Sequence, residues 1–137
     1  MALTALPTKK KYAKMTERLV ADTSLLINFF NGHKKAIEYM EGRDIWVSGI
    51  TEIELLASAK LLASDKQLIR DFLTHTFIVD LVKPVKENAI LLRSRYKLKL
   101  SDSIIAATAM YLNTPLYTFD KDFKHIAEIA DLVIIDL

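Results

Sequence analysis

The sequence predicts an α/β fold with a central parallel sheet of about five strands and helices on both faces. Three observations carry this. Apolar runs of strand length alternate with longer helical stretches five times along the chain. Runs such as Leu19–Ala21 and Leu132–Ile135 are apolar without alternation, as expected of strands buried on both faces. The 137 residues hold no internal repeat and no low-complexity tract, and they suit one domain with its own core.

Taken in order, Leu19–Ala21 is the first strand, with Asp22 at its tip. Thr23 and Ser24 are helix-capping types that open an apolar helix, Leu25 to Phe30, stopped by Asn31-Gly32. His33 to Glu41 reads as a short helix closed by Gly42, and Asp44–Ser48 as the second strand. Ile50 to about Leu62 reads as one long apolar helix, followed by another from Ser64 or Asp65 to about Thr74. Phe77–Leu81 is the third strand. Pro84 suits the first turn of a helix reaching Tyr96. Ser101-Asp102 opens a helix over Ser103 to Leu112, stopped by Asn113 and Pro115. Leu116–Phe119 is the fourth strand, Asp122 to Ile129 a short helix, and Leu132–Ile135 the fifth strand. Crossovers between parallel strands should be right-handed.

Residues 1–16 read as a separate basic N-terminal tail. Lys9, Lys10, Lys11 and Lys14 stand there without periodicity, as an RNA-attracting arm, a solvated end or a product of a misplaced start codon. Residues 17–137 form the expected domain. With no cysteine, there is no disulfide framework, no thiolate metal site and no Cys nucleophile, which fits a reducing cytoplasm. No run approaches the roughly eighteen apolar residues of a membrane helix. Met1 to Lys14 lacks the apolar core of a secretory signal. A net charge of +2 is too weak by itself to argue for nucleic acid.

Four acidic residues stand in unusual places: Asp22 ends the first strand, Glu54 lies in the helix after the second, Asp102 opens an almost wholly apolar helix, and Asp120 follows the fourth strand with Asp122 close behind. Helical phase places Glu54 on one stripe with Ile50, Ile53, Ala57 and Leu61, and Glu52 nearly opposite. An isolated buried carboxylate takes up a proton unless a cation or donors meet it. A Glu at the edge of the stripe, reaching water, is an equal reading. Asp22, Asp102, Asp120 and Asp122 each also read as ordinary caps or turn residues. Together they say more. If the first and fourth strands are neighbours where strand order reverses, Asp22 and Asp120 emerge side by side at the carboxyl edge, where open α/β sheets bind ligands. Whether Asp102 reaches that edge is left open. Carboxylates gathered at one place repel each other; Mg²⁺ or Mn²⁺, which prefer oxygen ligands, relieve that repulsion and support metal-assisted phosphodiester cleavage.

The segments Val20-Ala21-Asp22-Thr23-Ser24, Ile50-Thr51-Glu52-Ile53-Glu54-Leu55, Leu100-Ser101-Asp102-Ser103-Ile104-Ile105-Ala106-Ala107 and Leu116-Tyr117-Thr118-Phe119-Asp120-Lys121-Asp122-Phe123 occur in this order. In them the chain resembles the PIN domain, specifically VapC-type toxins of toxin–antitoxin pairs. The resemblance runs from about Glu17 to Leu137. It implies a three-layer α/β/α fold and an endoribonuclease dependent on Mg²⁺ or Mn²⁺. It also implies an acidic cluster of Asp22, Glu54, Asp102 and Asp120 as catalytic and metal-holding residues, with Asp122 as an extra or alternative member. Thr118 and, more weakly, Ser24 match supporting positions. A homodimer and an antitoxin partner are implied as well.

Arg93, Arg95, Lys97 and Lys99 lie just before Asp102 and could hold RNA phosphates; a solvated helix face is the equal reading. His33, His75 and His125 show no metal spacing, and with three glycines the chain has no phosphate-cradling loop. The alternative to an enzyme is a binding or signalling module, either a PIN-like fold without catalysis or a receiver-like domain. A receiver would need a phosphoacceptor Asp after the third strand, for which Asp80-Leu81-Val82-Lys83 is a poor match.

Overall fold

A computed structural model describes residues 17–59 and 61–136. The expected basic tail, residues 1–16, lies outside the described residues. Among the described residues five strands form one sheet: β1 (Arg18–Ala21), β2 (Asp44–Ser48), β3 (Phe77–Val79), β4 (Leu116–Thr118) and β5 (Leu132–Ile134). Every pairing is parallel and the order is β3-β2-β1-β4-β5. The order reverses at β1, so the crevice between the ends of β1 and β4 is the switch point of the sheet.

Among the described residues six α-helices cover the sheet: α1 (Thr23–Phe30), α2 (Lys34–Met40), α3 (Gly49–Leu56), α4 (Ala63–Leu73), α5 (Lys83–Tyr96) and α6 (Leu100–Leu112). Successive strand residues point to opposite faces, and each face has its own core. Leu19, Ala21, Ile45, Val47 and Tyr117 enter one core, filled by Leu25, Leu26, Phe29 and Phe72 from the helices. Val20, Trp46 and Leu116 enter the other, filled by Val85, Leu92, Ile105 and Ala106. This is the expected three-layer α/β/α arrangement.

Four expected elements differ. The helix expected from Ser103, opened by Ser101-Asp102, begins at Leu100 after Lys99, so Ser101 and Asp102 lie in its first turn and do not cap it. The helix after β2 ends at Leu56, not Leu62; the chain bends there, and Leu61 packs back against the first core. The run Ile50–Leu62 contains no Gly or Pro to announce the break. The segment after β4 is a 3-10 helix, Lys121–Ile126, instead of a helix from Asp122 to Ile129. With three residues per turn, Phe123 and Ile126 eclipse one another, so both are buried on one side. The third strand stops at Val79.

Candidate metal centre

Asp22 follows β1 directly. Its backbone N–H donates to the Tyr117 carbonyl of β4 (3.3 Å), continuing the sheet's pairing across the switch point. Asp22 is only 3% exposed, and three groups fix its carboxylate. It caps α1 by accepting from Leu25 N at 2.8 Å. Ser24 Oγ donates to it at 2.8 Å, and Thr118 Oγ1 donates to Oδ2. The capping and functional readings of Asp22 therefore describe one geometry. The helix cap is Asp22 itself, not Thr23 or Ser24.

The two supporting hydroxyls are held in turn by the backbone beyond β4. Phe119 N donates to Ser24 Oγ (3.1 Å) and Asp120 N donates to Thr118 Oγ1 (2.8 Å). The chain leaving β4 is thus tied to the chain leaving β1, and Asp120 is fixed beside Asp22. Asp120 also caps the 3-10 helix through Asp122 N at 2.9 Å. Burial pushes the Asp22 carboxyl from 3.8 up to about 6; the bonds from Thr118, Leu25 and Ser24 oppose this, and the Asp120 charge adds to it.

Asp102 lies in the first turn of α6, whose N-cap position is Lys99. The helix N-terminus favours a negative charge there. Burial raises the Asp102 carboxyl above its ordinary range, and the charges of Asp120, Glu54 and Asp122 push it further up, against the pull of Lys99. Asp102 is thus within electrostatic reach of three other carboxylates at the edge that the sequence left open.

Glu54 joins the same group by a different route from the one expected. The inward face of α3 is Thr51 and Leu55, while Ile53 is 61% exposed. Glu54 sits beside Thr51 and Leu55 on the wheel, at the rim, and is exposed. The expected stripe is therefore corrected in part: Ile50 packs against the second core, while Ile53 and Glu54 are exposed. A threonine holds the inward position because its Oγ1 lies 3.2 Å from Thr23 Oγ1. Thr23 donates to Glu54 Oε1 at 2.6 Å, fastening α3 to the start of α1. Thr23 and Thr51 are supporting residues that the sequence reading missed; Thr23 directly follows Asp22, and that adjacency was the available signal.

Among the described residues no lysine or arginine forms an ion pair with Asp22, Glu54, Asp102 or Asp120. Nor are three His, Asp or Glu side chains gathered closely enough, among those residues, to hold one ion as they stand. The donor set is nonetheless all carboxylate and hydroxyl oxygen, destabilised by mutual repulsion and, among the described residues, offset only by the charge of Lys99 without an ion pair. That set fits a hard divalent cation.

Of the basic residues before Asp102, Arg93 donates to the Leu98 carbonyl at 2.7 Å and so braces the α5–α6 turn. Lys97 closes α5 in the left-handed region at φ 54. Lys99 is the one whose charge reaches the acidic group. His75 Nδ1 bonds within its own turn to the Asp71 carbonyl, and His33 lies edge-on to Phe119 with ring centroids 5.1 Å apart.

The PIN domain family profile matches residues 19–129. The chain belongs to the PIN domain family. Among solved structures, a chain of a toxin–antitoxin complex from Klebsiella pneumoniae is 31% identical to this PIN domain, with a TM-score of 0.76 over 87% of this chain and 99% of that one. A chain of VapBC2 from Rickettsia felis, bound to a DNA fragment from its promoter, is 21% identical with a TM-score of 0.72, over 87% and 99% of the two chains. A chain of VapBC-5 from Mycobacterium tuberculosis is 20% identical with a TM-score of 0.65, over 88% and 98%. The last two speak for the fold alone. Comparison with curated protein sequences finds no match. No helix among the described residues is long and apolar enough to cross a membrane.

Proposed function

We propose that this PIN domain is the toxin of a type II toxin–antitoxin pair, a cytoplasmic endoribonuclease dependent on Mg²⁺ or Mn²⁺, paired with a second copy of itself and restrained by an antitoxin. One observation carries the catalytic reading. A buried carboxylate, Asp22, stands at the switch point of a parallel sheet with its proton affinity raised, faces Asp120, and has no cationic partner among the described residues. A fold that needed Asp22 only as a helix cap would have no reason to set Asp120 beside it, in a row of carboxylates where Asp120, Glu54 and Asp122 also press on Asp102. The toxin reading is supported by the likeness to the Klebsiella pneumoniae toxin–antitoxin complex.

Asp22, Asp102, Asp120 and Glu54 are the residues that would hold the ion, with Asp122 at the margin. Bound there, a divalent ion supplies Lewis-acid stabilisation of phosphoryl charge and lowers the pKa of water. The chain's own part is positioning. Thr118 and Ser24 hold the Asp22 carboxylate at a fixed angle, and Thr23 holds Glu54 at the opposite rim. The exposed Lys99, beside Asp102, offers a cation to a backbone phosphate. Arg95 is exposed and forms no ion pair among the described residues, whereas Arg93 is engaged by the Leu98 carbonyl.

The receiver-like alternative loses its footing in the topology. β3 is an edge strand separated from β1 by β2, so Asp80 at its end is not beside Asp22. The remaining alternative, a PIN fold without catalysis, is decided by assay. Purified protein is incubated with structured RNAs with and without Mg²⁺ or Mn²⁺, beside Asp22→Asn. Cleavage that requires the ion and disappears in the variant supports the enzyme. Absence of cleavage with either ion, for protein that binds Mn²⁺ normally, overturns it.

A further inference from the structure

Between α2 and the carboxyl end of β5 lies an open depression of about 510 Å³. Lys35, Glu38, Tyr39 and Arg43 line one side of it, and Ile134 and Asp136 the other. It adjoins the edge of the sheet that carries the acidic cluster. Ile135 N donates to the Thr118 carbonyl at 2.8 Å, so the chain leaving β5 runs beside the chain that leads to Asp120.

Two cations meet at the mouth. Lys35 Nζ donates to the Asp136 carbonyl at 2.6 Å, and Lys121 Nζ lies 3.9 Å from Asp136 Oδ1. Lys121 directly follows Asp120, so the mouth is one side chain's reach from the cluster. Lysine carries three donors, and the carbonyl bond of Lys35 uses one. Among the described residues Lys35 forms no ion pair. The Lys121–Asp136 pair is exposed on both sides, and a pair of that kind holds weakly against a competing anion.

An aromatic ring lies further in. Tyr39 is half-buried and stands edge-on to Tyr117, with ring centroids 5.6 Å apart. Arg43 anchors that pair: its guanidinium lies 5.1 Å over the Tyr117 ring, donates to the Tyr117 hydroxyl and meets Glu17 at 3.2 Å. Glu38, next to Tyr39, brings an exposed carboxylate to the same wall. The lining thus offers donors for an anion, a positioned ring for a flat π surface, and an acceptor for an amino group. A nucleotide carries all three.

We propose that this depression is a subsite for one RNA nucleotide flanking the bond that is cut, its phosphate on Lys35 and Lys121 and its base against Tyr39. The inference rests on the proposed ribonuclease reading and adds where a neighbouring nucleotide sits. Stacking on an aromatic side chain is open to every base. Glu38 favours a base with an amino group at its edge, such as cytosine, over uracil.

The test is fluorescence anisotropy with short labelled oligocytidylate and oligouridylate, on the full chain in EDTA so that the RNA stays intact. Wild type is expected to bind oligocytidylate about fivefold more tightly than oligouridylate, the worth of one added hydrogen bond. Lys35→Ala/Lys121→Ala should weaken both probes and lower the salt slope by about one. Tyr39→Leu should weaken both about tenfold with the salt slope unchanged, as lost stacking requires. Tyr39→Phe keeps the ring and should bind like wild type, which separates stacking from a structural defect; thermal melts of each variant check folding. Glu38→Gln should erase the preference for cytosine. A wild type that binds neither probe removes the ribonuclease reading and the subsite with it. A wild type that binds while the lysine and Tyr39→Leu variants bind equally well overturns the subsite alone. Loss confined to the lysine variant, or shared by Tyr39→Leu and Tyr39→Phe, overturns the seat of the base, and equal binding of the two probes by wild type overturns the role of Glu38.

Discussion

Replacing Asp22 by Asn without metal should make the protein more stable at neutral pH, even though it removes the residue on which the proposed site depends. The folded carboxyl is raised from 3.8 to about 6, so the folded state binds the Asp22 proton more tightly than the unfolded state does. The contribution of Asp22 to stability is therefore full below about pH 4 and is lost as pH rises through 6; above that both states are ionised and the penalty is complete. At roughly 1.4 kcal/mol per tenfold change in proton affinity, the charged carboxylate costs the fold about 3 kcal/mol at pH 7.5. Asn avoids that charge and can still cap α1 at Leu25 N, but its amide replaces an acceptor that Ser24 and Thr118 now donate to. The amide donor set against those two hydroxyls offsets about 2 kcal/mol, over and above the charge effects that the raised proton affinity already includes. The expected net gain is about 1 kcal/mol, or about 4 °C in melting temperature. Thermal melts of both proteins in EDTA at pH 7.5 and pH 4 measure it. The advantage of the variant should shrink or reverse at pH 4, where wild-type Asp22 is protonated. A variant that melts below wild type at pH 7.5, or a difference that does not change with pH, would show that Asp22 is a structural cap whose charge is well accommodated.

Further outcomes follow from the same geometry. Thr118→Val removes the donor to Asp22 and the acceptor of Asp120 N; it should cost about 1–3 kcal/mol and move the pH dependence attributed to Asp22 upward, read by denaturant melts across pH 4–8. Glu54→Gln should weaken Mn²⁺ binding by roughly tenfold in calorimetric titration, whereas Glu52→Gln should leave it nearly unchanged; equal effects would remove Glu54 from the metal group. Arg93→Ala should lower stability by about 1 kcal/mol through the lost bond to the Leu98 carbonyl, while Lys99→Ala should weaken RNA binding and reduce its salt slope by about one, seen in filter binding at several salt concentrations.

The sequence by itself determined the layered architecture, because strand runs such as Leu19–Ala21 are apolar throughout and have to be buried on both faces, and because the alternation of strands and helices admits few topologies. It also made Asp22, Asp102 and Asp120 visible, since acidic residues beside buried elements stand out against the apolar pattern. The phase of α3 was hidden. Hydrophobicity pointed Ile53 inward with Ile50, but Ile53 is exposed and Thr51 takes the buried position in contact with Thr23, a pairing between residues 28 apart in the chain. The break after Leu56 was hidden for the same reason: no local residue marks it, and only the return of Leu61 to the core defines it. Tertiary structure also decided that the hydroxyls of Ser24 and Thr118, 94 residues apart, converge on one carboxylate. Local pattern records what each segment prefers to bury. Which side chains meet at the switch point depends on strand order, and that is fixed only when the whole sheet assembles.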